Sequence, residues 1–173
     1  MTGSGTVHDP AEIRRLVDGA QHGDTVAISA LIDVLVPLVG RWCGPIALQD
    51  GPDAAQEAMI AILGSIGQLR TPAALFGWAR TIAVREAVRV AQRGRAHPAY
   101  ELADPPERGD PQLAADVRDV LARLSPEHRA ILMLRDLEGL DEQSAAELLR
   151  VPPGTAKSRL HRARRLFRKA WQQ

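Results

Sequence analysis

Apolar residues recur at three- and four-residue spacing along almost the whole of this 173-residue chain. A polypeptide patterned that way buries one continuous face only as an α-helix. Ile13, Leu16, Val17 and Ala20 set the first stripe, behind an Asp9-Pro10 pair that supplies an N-cap and a proline at the first helical position. Gly23-Asp24 ends that helix and caps the next, where Ile28, Leu31, Ile32, Leu35 and Val39 align. A loop is expected at Gly44–Pro52, then a helix capped by Asp53 and carrying Ala55, Met59, Ile62, Leu63 and Ile66. Arg70-Thr71-Pro72 punctuates, and a fourth helix is expected from about Ala73 to Arg93. There is no period-2 run and no hairpin turn between strands, so the expected class is all-α.

Residues 94–112 differ in kind, with four prolines, two glycines and little apolar periodicity. Such a segment buries too little to fold alone and reads as an extended, mobile linker. It divides the chain into a helical domain over residues 1–93 and a second over residues 113–173. In the second, Leu113–Leu124 is one helix. Ser125 caps the next, with Pro126 at its first position, His128 where a capping box would put Glu or Gln, and Ile131, Leu132, Leu134 and Leu137 on its apolar face. Gly139 closes that helix, and Asp141 caps a short one over Glu142–Leu149. After the turn Arg150–Gly154, a final helix begins near Thr155 and runs to about Trp171.

Composition narrows the function. A hydrophobic fraction of 45% supports a globular core. Cys43 is the only cysteine, which excludes a disulfide framework within the chain and reads as a small buried hydrophobe. The first ten residues lack a basic and an apolar signal region, and the run Val26–Val39 is broken by Asp33 and Pro37. The expectation is an intracellular, cytoplasmic protein without membrane insertion. No phosphate loop, nucleophile elbow or HExxH motif is present, and the five histidines have no ligand spacing. The expectation is no catalytic residue, no metal and no cofactor.

The formal net charge of +1 hides a segregation. Residues 1–95 sum to 0, residues 96–150 to −6, and residues 151–173 to +7 with no acidic residue. A basic end behind two short helices and a tight turn matches a helix-turn-helix with its second helix in a DNA groove. Leu140, Ala145, Leu148, Leu149, Val151, Ala156 and Leu160 can face one small core. The Thr155 hydroxyl can cap the second helix, whose free amides would seat a phosphate. Lys157, Ser158, Arg159, His161, Arg162 and Arg165 project from its early turns as candidate DNA contacts. One helix presents only one side, so some of the charges must pack against protein or face water.

The stretch from Leu124 to Ala170 resembles region 4 of the extracytoplasmic-function (ECF) sigma factors, chiefly in Leu124–Arg129, Leu134–Leu140 and Gly154–Arg164. The family usually has Gly where Arg150 stands. The resemblance implies that Thr155, Lys157, Ser158, Arg159, His161, Arg162 and Arg165 read a minus-35 element. The first domain resembles sigma region 2. Asp53, Gln56 and Glu57 fall where the family has an acidic patch that docks on RNA polymerase. Phe76-Gly77-Trp78 through Ala83 resembles the helix that, with the loop Leu69–Ala74, reads and opens the minus-10 element. Phe76 and Trp78 also suit a core, and Asp53 a simple cap. Arg80, Arg85 and Arg89 fall roughly along one helical side, suited to phosphates. The implied partners are core RNA polymerase, promoter DNA and an anti-sigma factor, and the implied function is promoter-specific initiation. Two other readings stand beside it: a free-standing helix-turn-helix regulator, and a sigma-like interaction protein without promoter melting.

Overall fold

The structure is a computed structural model and describes residues 9–94 and 111–172. Eight α-helices account for most of these: α1 (Pro10–Gln21), α2 (Thr25–Ala47), α3 (Gly51–Ser65), α4 (Leu75–Gly94), α5 (Pro111–Ala122), α6 (Pro126–Leu132), α7 (Glu142–Leu149) and α8 (Pro153–Trp171). No strand occurs among the described residues. Most of the expected linker lies outside them, but its last two residues, Pro111 and Gln112, open α5.

The caps read from the sequence largely operate. Asp9 accepts from the Ala11 amide at 3.0 Å, and Asp24 from Val26 and Ala27 at 2.9 and 3.3 Å. Asp53 is different. The helix starts two residues earlier, at Gly51, and Asp53 sits exposed in its first turn rather than capping it. The reason lies in α2. It does not stop at Gly44 but continues through Pro37 and Pro45 to Ala47, leaving only the short turn Leu48–Asp50. An interior proline costs a helix about 3 kcal/mol. Leu35, Val39, Trp42, Cys43 and Ile46 are all buried along one side of this segment. Fully burying each large apolar side chain returns about 1.5–3 kcal/mol, so packing overrides propensity. Leu48 closes the turn at φ 56, with its amide on the Gly44 carbonyl. By composition this stretch is apolar enough to cross a membrane, yet its buried side is the central wall against which α1, α3 and α4 pack. Cys43 fills that wall. Burial, then the Glu86 charge, pushes its thiol up to about 12.

In the second half, α6 and α7 pack on α8, and α5 also leans on α8. Ser125 caps α6, accepting from the His128 amide at 3.3 Å, while the His128 ring Nδ1 lies 3.0 Å from the same hydroxyl. The chain then widens into a single π-helical turn, Met133–Leu137, which ends at Gly139 with φ 68. That widening corrects the expected apolar face. Ile131 and Leu134 are buried, but Leu137 is 71% exposed because the extra residue per turn rotates it outward.

The two halves share one core. Ala130, Ile131, Met133 and Leu134 join the cluster built on α2 and α4, and α6 packs directly on both helices. Arg129 fastens the junction. It is buried, and its guanidinium donates to Ile46 O at 2.7 Å, Leu124 O at 3.0 Å and Leu121 O at 3.3 Å. Ile46 and Leu121 lie in the last turns of α2 and α5 and Leu124 just beyond α5, where carbonyls carry partial negative charge; Leu121 O also accepts the Leu124 amide at 3.0 Å. A single arginine thus satisfies the ends of one helix from each half.

Candidate nucleic-acid interface

Asp141 starts the helix-turn-helix by accepting from the Ser144 amide at 2.9 Å and the Ser144 hydroxyl at 2.6 Å. Hydrogen bonds from Ser144, led by its side chain, hold the Asp141 carboxyl below its ordinary range. The helix α7 ends on Arg150, which adopts the left-handed conformation at φ 54, ψ 46. This is the position where a glycine is ordinarily found. A non-glycine residue there is strained, and the turn holds because Val151 N reaches back to Ala146 O at 3.0 Å. The small core forms as expected. Ala145, Leu148, Ala156 and Leu160 are buried, with Leu140, Leu149 and Val151 packed against them.

The second helix begins at Pro153, two residues before the expected start, and Thr155 does not cap it. The preceding Pro152 carbonyl instead accepts from both the Thr155 and Ala156 amides, at 2.9 and 3.0 Å. Those two amides are therefore not open to a phosphate. The side chains remain. Lys157, Ser158, His161, Arg162 and Arg165 are exposed, and at 3.6 residues per turn they fall within an arc of about 140°. Thr155 and Arg159 lie beyond one edge of that arc, next to Arg162, and are half-buried. The buried stripe Ala156, Leu160 and Ala163 lies opposite. Arg164 leaves the arc and pairs with Asp136 on the π turn, which raises its pKa above the ordinary arginine value. The sequence implied that some charges must pack on protein, and Arg164 is one.

The edge of this face meets α6. Burial works to raise the Glu127 carboxyl, but hydrogen bonds from Gln92, its own amide and Ser125, together with the Arg159 charge, hold it below its ordinary value. His128 is held down by burial, then by the charges of Arg162 and Arg159, against a smaller opposite pull from Glu127. The imidazole is thus kept neutral beside a cationic helix.

The residues expected to serve a minus-10 element are arranged differently. Arg80, Arg85 and Arg89 do not form one open stripe. Arg80 on α4 donates to Glu138 at 3.2 Å, across the junction. Arg85 donates through Nε to Leu148 O at 2.8 Å and through a terminal nitrogen to Glu147 O at 3.5 Å, at the C-terminal end of α7. Burial, then Arg150, lowers its pKa, yet a guanidinium stays charged. Arg89 turns the other way, onto Glu86 of its own helix and Glu57 of α3 at 2.6 Å. Phe76 and Trp78 are half-buried against the core.

Asp53, Gln56 and Glu57 share the outer face of α3 with Ile60, which is 66% exposed. Glu57 also pairs with Arg93 at 2.8 Å, and the Arg93 hydrogen bond is the largest influence holding its pKa down. The loop before α4 is pinned to α1: Gln21 donates to Ile66 O at 2.9 Å and Leu69 O at 2.8 Å. Sequence reasoning missed Arg129 and Glu138. Both sit in the region-4-like motif, and no spacing rule marks either as a bridge to the other half.

Comparison with known proteins agrees with this geometry. Residues 114–167 match the family "Sigma-70, region 4". The chain is 29% identical over 182 residues to the RNA polymerase sigma-H factor of Pseudomonas aeruginosa, covering 92% of this chain and 93% of that protein. It is 34% identical over 120 residues to the ECF RNA polymerase sigma factor SigM of Mycobacterium tuberculosis, covering 67% of this chain and 61% of that one. The fold is similar to that of the sigma factor RpoE solved with the anti-sigma factor NepR from Bartonella quintana, with a TM-score of 0.67 at 20% identity over 83% of this chain and 96% of that one. With its helix-turn-helix matched to region 4 and its relatives spanning both halves, the chain belongs to the extracytoplasmic-function family of RNA polymerase sigma factors.

Proposed function

We propose that this chain directs core RNA polymerase to two-part promoters, with residues 113–173 on the minus-35 element and residues 1–93 on the minus-10 element. The observation that carries the reading is the α8 face, where Lys157, Ser158, His161, Arg162 and Arg165 stand outward together and no acidic residue follows Val151. An early-turn basic face behind a tight turn is what a major groove accepts. Thr155 and Arg159 border it as flanking contacts. Asp53, Gln56 and Glu57 form the surface offered to polymerase, and Arg80, Arg85 and Arg89 are offered to the minus-10 region. The chain acts by binding and positioning and carries out no covalent chemistry itself. Its place of action is the cytoplasm, where polymerase and promoter are found. An anti-sigma partner is a further expectation, drawn from the complex in which the Bartonella sigma factor was solved.

Run-off transcription with purified core enzyme and a genomic promoter library tests the reading. Initiation at a shared two-part sequence is expected. A free-standing helix-turn-helix regulator would give sequence-specific binding without initiation. A sigma-like interaction protein would bind polymerase and yield no transcript. Because residues 1–95 carry no net charge, the isolated chain should bind promoter DNA weakly at physiological salt and gain specificity on the polymerase.

A further inference from the structure

Glu138 occupies an unusual position for a carboxylate. The π turn Met133–Leu137 ends with the Glu138 amide on Met133 O at 2.9 Å, and Gly139 at φ 68 then reverses the chain. This presents the Glu138 side chain to the other half. It is only 11% exposed there and receives Arg41 of α2 at 3.0 Å and Arg80 of α4 at 3.2 Å. Two guanidiniums converging on one anion is an arrangement that suits a phosphate equally well. Arg80 also keeps its Nε buried with no hydrogen-bond partner, so the carboxylate leaves one of its donors unmet. A buried unmet donor is costly and is normally filled when an acceptor is present. One turn further along α4, Arg85 is held by the carbonyls at the end of α7, again from the second half.

We propose that Glu138 is an autoinhibitory latch that stands in for a nucleic-acid phosphate. In the closed chain it holds Arg41 and Arg80 against the second half. Arg41 is already 64% exposed, whereas Arg80, 24% exposed, becomes available to DNA only when the helix-turn-helix half moves off α2 and α4. Glu138, the α7 carbonyls and promoter phosphates are then alternative partners for the same α4 surface. The DNA part of this rests on the sigma-factor reading; the closed-to-open part does not.

The test uses the full chain carrying Arg14→Cys and Lys169→Cys, labelled for energy transfer between α1 and α8. Cys43 is fully buried and does not compete for label. Glu138→Gln removes the charge and keeps the shape. It should lower transfer efficiency. It should also tighten binding to a 20-base-pair duplex roughly five- to tenfold, the scale of two ion pairs. Adding Arg80→Ala should remove the gain in DNA binding but not the loss of transfer. Unchanged transfer and unchanged DNA binding in Glu138→Gln would overturn the latch, as would opening with no gain in DNA binding. Charge reversal guards against simple misfolding. Glu138→Arg and Arg80→Glu should each open the chain, and the two together should restore high transfer. If the double variant stays open, the latch is wrong. A latch that operates in a chain inactive in run-off transcription would sink the sigma-factor reading alone.

Discussion

The helices α4 and α8 are both rich in arginine, yet they treat it in opposite ways. On α4, Arg80, Arg85 and Arg89 each end on a carboxylate or a helix C-terminus supplied by the same chain. On α8, Arg162 and Arg165 stand exposed, and of the helix's arginines Arg164 is drawn off into an ion pair with Asp136. The difference follows chiefly from the groups packed around each helix, with Glu86 of α4 itself adding to them. Glu57 of α3, Glu138 just after the π turn, and the Glu147 and Leu148 carbonyls at the end of α7 all reach the α4 arginines. The outer arc of α8 is exposed among the described residues and meets α6 only at its Arg162 edge. A count of basic residues therefore measures the capacity to bind DNA, and the packing decides how much of that capacity the closed chain shows.

The comparison breaks most visibly where the two halves are fastened. Replacing Arg129 by Met removes the guanidinium donor from the Ile46, Leu121 and Leu124 carbonyls, of which Leu121 keeps the Leu124 amide, and about 3 kcal/mol of stability should be lost. A thermal melt measures it, and a loss under 1 kcal/mol would show that the junction tolerates water. Next come paired substitutions on α8. Arg162→Ala should weaken binding of the polymerase complex to its minus-35 element by about 1–3 kcal/mol if it reads a base edge. Arg164→Ala should leave that affinity nearly unchanged, since its partner is Asp136. Equal effects from both, in a gel-shift titration, would refute the division of the helix into an outer arc and an inner pair. The π turn carries a contrast of its own. Leu134→Ala should cost about 2–5 kcal/mol of stability, because Leu134 is fully buried. Leu137→Ala should fall within about 0.5 kcal/mol. Chemical denaturation of the two variants reads this directly, and a large loss at Leu137 would mean that the turn is α-helical in solution.

Much of this architecture was legible in the sequence, and the exceptions share a cause. Periodicity, proline at first helical positions and aspartate caps located every helix, because these are local effects that act within one turn. The errors fall where distant residues decide. The α2 helix runs through Pro45 because Ile46 and Ala47 are buried against the rest of the core, which no window along α2 can reveal. Leu137 is turned out by a π turn with no sequence signature of its own. The exposed basic arc of α8 was legible because it needs only one helix and its outer side. The partners of Arg80 and Arg85 were not, because Glu138 and Leu148 lie 58 and 63 residues away. Family resemblance marked these arginines as DNA-facing, and the closed chain turns two of them toward its own second half.

The mildest test concerns pH, and it falls on the seam between the two regions compared. His128 sits at the start of α6, with Ser125 on its ring nitrogen and Arg159 and Arg162 of α8 nearby. Burial and those two charges hold its pKa below the ordinary imidazole value of about 6.5. The unfolded chain therefore takes up the proton more readily than the folded one, and stability falls as pH drops through the unfolded value. The fall ends once pH is below the folded pKa, where both states are protonated. Substituting His128 by Gln, which keeps a polar group beside Ser125, should flatten that part of the stability–pH curve and leave stability above pH 7 little changed. Neutralising Arg159 and Arg162 to Gln should flatten it partly, because burial remains. A curve that keeps its slope in all three variants would place the titrating group elsewhere. It would also mean that the charge of α8 does not reach the first turn of α6, so the outward face would be electrostatically independent of the half that packs behind it.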